Sequence, residues 1–227
     1  GIADLARILR HAFLYDGRFS ACRERRHGRS AGGLAGHKFL AYMQNHDQIG
    51  NRACGDRITH LVSPDRAKIG AALVLTSPFV PMLFQGEEWA ASSPFQYFTG
   101  FEDAQLGRAV SEGRRNEFSA FGWDPRDVPD PQDPETFGRS KLRWDERSGE
   151  PHASMFRWYR ALISLRHRCG DLSSGDMDAV HAECDEEAGW LVIRRGACTI
   201  ACNLAARPVT IPLEAGAAHA MLLASKP

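Results

Sequence analysis

Two short apolar runs, Lys38 to Met43 and Phe79 to Phe84, flank a segment that carries a helix start, and this order constrains the fold more than anything else in the chain. The first run ends in the polar Gln44, Asn45, His46 and Asp47, as a buried parallel strand opening onto a loop does. Ser63, Pro64 and Asp65 then supply an N-cap, a proline at the first helical position and an acid in the first turn. Ile69, Leu73, Val74 and Leu75 give that helix its apolar side, and Pro78 ends it. Phe79 to Phe84 reads as a second buried strand, closed by Gln85, Gly86, Glu87 and Glu88. Strand, helix and strand in this order form a βαβ unit, whose two strands run parallel. One such unit cannot close a parallel sheet, since a complete (β/α)8 barrel takes about 250 residues. The expectation is therefore that the rest of the sheet precedes Gly1. If the sheet is such a barrel, the segments after Met43 and Phe84 lie at its C-terminal mouth, where barrel enzymes hold their chemistry.

Around this unit the pattern is mostly helical. Ile2, Leu5, Ala6, Leu9 and Phe13 recur at helical spacing with Gly17 as a stop. Gly17 to His37 reads as a polar loop with a basic cluster at Arg23, Arg25, Arg26, His27 and Arg29, a solvated face in its plain interpretation. Leu106 to Phe118 predicts a helix, Gly122 to Pro151 a long proline-rich loop, and Ala153 to Arg168 another helix. After Gly170, short apolar runs at Trp190–Ile193, Cys198–Cys202, Val209–Ile211 and Met221–Leu223 predict a small antiparallel β domain.

Composition narrows the function classes. Lys and Arg together number 28, as do Asp and Glu, so no basic surface suited to a run of phosphates is implied and nucleic acid is not an expected partner. The longest apolar stretch, Ile69 to Phe84, is broken by Gly70, Thr76, Ser77, Pro78 and Pro81 and falls short of the roughly 20 apolar residues a membrane span needs. The six cysteines are scattered without a C-x-x-C pair, which fits structural thiols in a reducing cytosol and calls for no metal or cofactor. Cys198 and Cys202, four apart in a strand, would share one face as small core residues. The start at Gly1, with no initiator Met or signal sequence, reads as a chain cut in mid-fold.

The run Gln44 to Arg52 concentrates amides, an imidazole, a carboxylate and a guanidinium at a strand end. Such a set can bind sugar hydroxyls: Asp47 can accept two hydroxyl hydrogen bonds, His46 can donate another, and Arg52 can keep the carboxylate ionised. The competing interpretation is a loop whose Asn and Asp satisfy their own backbone.

Met43-Gln44-Asn45-His46-Asp47 resembles the fourth conserved region of the α-amylase family of glycoside hydrolases, at the end of barrel strand seven. Within that family Gln44 to Arg57, Pro94 to Thr99, Leu106 to Val110 with Gly113 to Arg115, and Asp130 to Pro134 through Ser140 to Leu142 resemble the maltooligosyltrehalose trehalohydrolases. The resemblance implies an α/β fold: residues 1–170 as the C-terminal part of a (β/α)8 TIM barrel, with strands seven and eight, and residues 171–227 as a C-terminal antiparallel β domain. It also implies a retaining hydrolase that releases trehalose from an α-glucan oligosaccharide by cutting the α-1,4 bond next to the terminal trehalose. Asp47 becomes the transition-state stabiliser, with His46, Gln48, Ile49, Gly50 and Asn51 beside it along the substrate. The nucleophilic Asp and the acid/base Glu fall upstream of Gly1, so the 227-residue chain alone is expected to be inactive and poorly stable. Gly100 and Phe101 stand where the family leads one to expect an Asp-His pair. Glu87 and Glu88 read as structural carboxylates, while Trp89, Phe95, Tyr97 and Phe98 could stack on glucose or simply pack. Two alternatives stay open, an α-glucan branching enzyme on the same barrel and a noncatalytic carbohydrate-binding remnant.

Overall fold

A computed structural model describes residues 1–120, 122–213 and 220–225. In chain order the elements are α1 (Ile2–His11), β1 (Phe19–Ser20), β2 (Arg25–Arg26), β3 (Leu40–Ala41), α2 (His46–Gly50), α3 (Ile58–Leu61), α4 (Pro64–Thr76), β4 (Val80–Pro81), α5 (Ala104–Ala120), α6 (Pro134–Ser140), α7 (His152–Arg168), α8 (Gly170–Ser173), β5 (Val180–Asp185), β6 (Trp190–Arg195) and β7 (Cys198–Asn203). They fall into two compact units. One comprises Gly1–Ala41, Ile69–Met82 and Arg160–Pro227; the other comprises Tyr42–Lys68 and Leu83–Tyr159.

The first unit is built on an antiparallel sheet in the order β5-β6-β7, with Leu191 opposite both Cys184 and Cys202. Alternation puts Val180, Leu191, Ile193 and Cys202 in one core with Ala6 and Leu9 of α1, and Ile69 and Leu73 pack against it. Cys198 and Cys202 are both buried, as their spacing predicts. Two arginines close the C-terminal end of α4, where the last carbonyls of a helix have no partner of their own. Arg166 donates to Leu75 O and Ser77 O at 2.8 Å and to Phe79 O at 2.9 Å. The fully buried Arg195 donates to Thr76 O at 2.8 Å, to Leu172 O at 2.9 Å and to Ser174 O. Burial, reinforced by the neighbouring Arg166 charge, brings the Arg195 guanidinium down to about 10, still cationic at neutral pH.

Several sequence expectations are met in part. The strands β3 and β4 pair in parallel, Leu40 opposite Val80, but each is two residues long. Their side chains are not buried, Leu40 being 61% and Val80 41% exposed, and Pro78, in phase with the bonding amides of Val80 and Met82, withholds the N–H a longer ladder would use. Helix α1 stops at His11, with Ala12 at φ 65°, well short of Gly17. The basic stretch contains the hairpin β1-β2, Phe19 opposite Arg26. The predicted long loop holds α6, started by an Asp133 cap and Pro134, and a 3-10 turn at Asp145–Ser148. Val209–Ile211 and Met221–Leu223 are not strands; Pro208 and Pro212 bracket the first, and Met221 and Leu222 are exposed. The third strand is instead β5, where Val180, Ala182 and Cys184 alternate with His181, Glu183 and Asp185. Among the described residues, no helix is long and apolar enough to cross a membrane and no cluster of three His, Cys, Asp or Glu is placed to hold a metal.

Candidate active site

The second unit carries the Gln44–Arg52 run. Helix α2 starts with a reciprocal cap: Asn45 Oδ1 accepts from Gln48 N at 3.1 Å, and Gln48 Oε1 accepts from Asn45 N at 3.0 Å. This fixes a single helical turn whose first two residues are His46 and Asp47. Their side chains are 70% and 73% exposed, with His46 Nε2 3.3 Å from Asp47 Oδ1. The pair stands open to solvent, free to meet a ligand with both ring nitrogen and carboxylate.

Of the remaining predicted site residues, Ile49 and Gly50 turn inward while Gln48 and Asn51 stay exposed. Gln48 uses its side-chain oxygen in the cap, Ile49 and Gly50 are buried, and Asn51 is held from behind. That hold is Arg114 of α5, whose guanidinium donates to Asn51 Oδ1 at 3.2 Å and to Gly50 O while lying between the rings of Tyr97, at 4.8 Å, and Phe118, at 4.5 Å. Arg52 pairs with Asp56 at 3.2 Å, so its expected partnership with Asp47 is not formed.

The segments singled out by the resemblance are bonded to one another. Phe95 N donates to Gly55 O at 2.9 Å, Gln96 N to Ser140 Oγ at 3.0 Å and Arg139 Nε to Gln96 Oε1 at 3.2 Å. Thr99 Oγ1 donates to Gln132 Oε1 at 2.8 Å, and Asp130 accepts from Ser111 Oγ at 2.6 Å and from Arg115 at 2.9 Å. Gly100 and Phe101 lie in this web, with Phe101 N donating to Gln132 Oε1 at 3.1 Å.

Gly55 has φ +71°, and a Cβ there would lie 2.6 Å from the Phe95 carbonyl carbon and oxygen and 2.7 Å from Gln96 N. The left-handed backbone costs a larger residue roughly 1–2 kcal/mol, and the clash adds to it. Gly55→Ala in the full-length protein is expected to lower stability by about 2 kcal/mol or more, read as a fall in denaturation midpoint; an unchanged midpoint would show that the 95–96 backbone yields freely.

Of the aromatics, Trp89 is 1% exposed and cannot offer a face to a sugar. Its Nε1 donates to Glu146 Oε1 at 3.1 Å and its ring leans on Trp144 at 5.0 Å. Phe95 and Phe98 pack with Phe84 and Phe137 at centroid distances of 5.1–5.8 Å. Tyr97 keeps an exposed edge, and Trp144, which the sequence analysis passed over, is 63% exposed. Glu146 was missed as well: besides Trp89 it accepts from Ser92 N at 2.9 Å and Ser92 Oγ at 2.6 Å. Burial works to raise its carboxyl, but the Ser92 hydroxyl and amide and the Trp89 indole outweigh it and hold the group below the usual carboxylate range.

Behind α2 lies a buried polar layer. Arg57, fully buried, donates from Nε to Ser93 O and from Nη1 to Gln85 O, both at 2.7 Å, and its guanidinium lies 5.4 Å from the Phe84 ring centroid. Burial lowers its pKa, countered by the charges of Glu87, Glu88 and Glu146. Glu87 is 3% exposed and accepts from Tyr159 OH at 3.0 Å. Burial pushes its carboxyl up to about 7 against hydrogen bonding from Tyr159 and Gln44.

Comparison with known proteins bears on this arrangement. Residues 176–227 match a family model described as a domain of unknown function (DUF3459). A malto-oligosyltrehalose trehalohydrolase from Mycobacterium tuberculosis (strain CDC 1551 / Oshkosh) is 45% identical over 215 residues, 94% of this chain and 37% of that protein. One from Brevibacterium helvolum is 46% identical over 217 residues, 95% of this chain and 37% of its own length. A crystal structure from Salmonella typhimurium, described as a candidate alpha amylase, superposes with a TM-score of 0.83 at 36% identity over 94% of this chain and 37% of that one. The chain thus spans little more than a third of the length of the relatives it matches. Over that span it is similar to the malto-oligosyltrehalose trehalohydrolases.

Proposed function

We propose that the protein to which this chain belongs releases trehalose from maltooligosyltrehalose by hydrolysing the α-1,4 bond next to the terminal trehalose. The observation that carries the reading is the His46–Asp47 pair, presented to solvent on a capped turn whose far end is clamped by Arg114. A rigid carboxylate beside an imidazole suits a glucose ring whose hydroxyl bonds strengthen as the ring flattens toward an oxocarbenium ion. The mechanism proposed is retaining, with a nucleophilic and an acid/base carboxyl about 5 Å apart; neither is assigned to a residue of this chain. Asp47 neither attacks nor protonates: it stabilises charge, and His46 and Asn51 line the ring beside it. Residues 1–170 are proposed as the last strands and helices of a (β/α)8 barrel and 171–227 as the β domain that follows. No cofactor or metal is invoked, and free thiols support a cytoplasmic location.

The test is to incubate the full-length protein separately with maltooligosyltrehalose and with amylose. Trehalose released from the first, with no new branch points in the second, is the expected result. New branches without trehalose would instead mark a transferase, and binding without turnover of either would mark a carbohydrate-binding protein.

A further inference from the structure

The side chain that holds the far end of α2 also decides what that end can offer a ligand. Arg114 of α5 is 8% exposed and fixed from several sides: its guanidinium lies over the Tyr97 ring at 4.8 Å and the Phe118 ring at 4.5 Å, and Nη1 is 3.7 Å from Glu117 Oε2. From there Nη2 donates to Gly50 O, and Nη1 donates to Asn51 Oδ1 at 3.2 Å. A guanidinium has five donors and no acceptor, so only the oxygen of the Asn51 amide can face it. The Nδ2 group is thereby turned away from Arg114; among the described residues it donates to none, and Asn51 is exposed.

Asn51 N donates to Asp47 O at 3.1 Å, so the two residues stand one turn apart, and side chains four apart on such a turn share a face. That face carries a carboxylate that accepts and an amide nitrogen that donates. We propose that Arg114 is a positioning residue that locks the Asn51 amide with its oxygen inward, and that Asn51 Nδ2 donates to a hydroxyl oxygen of the same sugar that donates a hydroxyl to Asp47. This rests on the functional reading above and deepens it. The turn then selects a ligand with one hydroxyl acting as donor and another as acceptor, which a neutral sugar ring supplies and a simple anion or cation does not.

Asn51→Asp in the full-length protein separates the two halves of the proposal. The new carboxylate keeps an oxygen toward Arg114 and adds charge to that bond, but it has no donor left for the sugar. Tm should hold or rise, while kcat/KM on maltooligosyltrehalose falls on the order of 10–10²-fold. With Arg114→Met the Asn51 amide is free to turn, and kcat/KM should fall about tenfold; on an Asn51→Ala background the same change should cost several-fold less, because the amide it positions is already gone. Arg114→Lys, which keeps a cationic donor for Asn51 Oδ1, should recover part of the loss. If Arg114→Met does not fold, Arg114→Gln, whose amide can accept as well as donate, takes its place in the comparison. Wild-type kcat/KM in Asn51→Asp would overturn the donor role, and an equal cost of the Arg114 change on both backgrounds would reduce Arg114 to a support of the fold. A wild-type protein that releases no trehalose would defeat the functional reading, with Tm still deciding the linkage. Asn51→Asp must then be tolerated beside Arg114 and lower Tm on the Arg114→Met background, where its carboxylate has lost its cation; a fall of Tm in Asn51→Asp alone would overturn the inward oxygen.

Discussion

On the function proposed above, Asp47→Asn in the full-length protein is expected to lower kcat on maltooligosyltrehalose by about 10²–10³, the usual cost of removing one preorganised charge that meets developing charge in the transition state. KM should move far less, because a neutral sugar in the ground state gains little from the carboxylate that the amide cannot supply. The structure gives the reason that this split can be read cleanly. Asp47 is 73% exposed and its ion-pair partner is the neighbouring His46, so the side chain bears little on the fold. Its backbone carbonyl, which accepts from Asn51 N at 3.1 Å, is unchanged by the substitution. Tm should therefore shift by less than about 2 °C. A variant with near wild-type kcat would remove Asp47 from the chemistry. A large fall in Tm would reassign it to the fold.

What the sequence made legible was whatever is local. Ser63, Pro64 and Asp65 announce α4 because a cap and an N1 proline act within one turn, and Cys198 and Cys202 share a buried face because strand alternation is strictly local. The same cap signal at Asp133 and Pro134 went unused, hidden by the prolines on either side that argue for a loop. The strand β5 was passed over because its inward residues, Val180, Ala182 and Cys184, are small and weakly apolar, and only pairing with β6 gives them a core. At the candidate site, Asn-His-Asp falls on the exposed, capped turn of α2, but the contacts that hold that turn and the layer behind it could not be read from spacing. Arg114 lies 63 residues from Asn51, and Tyr159 lies 72 from Glu87. Arg52, near Asp47 in sequence, turns instead to Asp56, which the turn segment after α2 brings within 3.2 Å. Trp89, which by type could stack on glucose or pack, is wholly buried, whereas Trp144 is the exposed ring of the pair.

Arg57→Met is expected to be the most destabilising single change in the unit that carries the site. Two backbone carbonyls, the buried Ser93 O and the partly buried Gln85 O, depend on its guanidinium at 2.7 Å each. A charged donor to a buried acceptor contributes roughly 1.5–3 kcal/mol, so losing both costs at most about 3–6 kcal/mol before any relaxation, the partly buried Gln85 bond giving the smaller share. Two effects oppose this. Methionine fills part of the space against Phe84, and the penalty for burying a cation disappears. The second is small in net terms, because Glu87, Glu88 and Glu146 already offset that burial; removing the cation leaves their charges uncompensated and drives the Glu87 carboxyl further up. The loss of both carbonyl bonds therefore dominates, and Tm of the full-length protein should fall by about 3–5 °C. Arg57→Lys separates charge from geometry. It keeps the cation, but a single ammonium cannot reproduce the fork that reaches Ser93 O and Gln85 O together, so it should recover less than half of the loss. Full recovery by lysine would mean that charge, not the two carbonyl bonds, is what this buried arginine supplies.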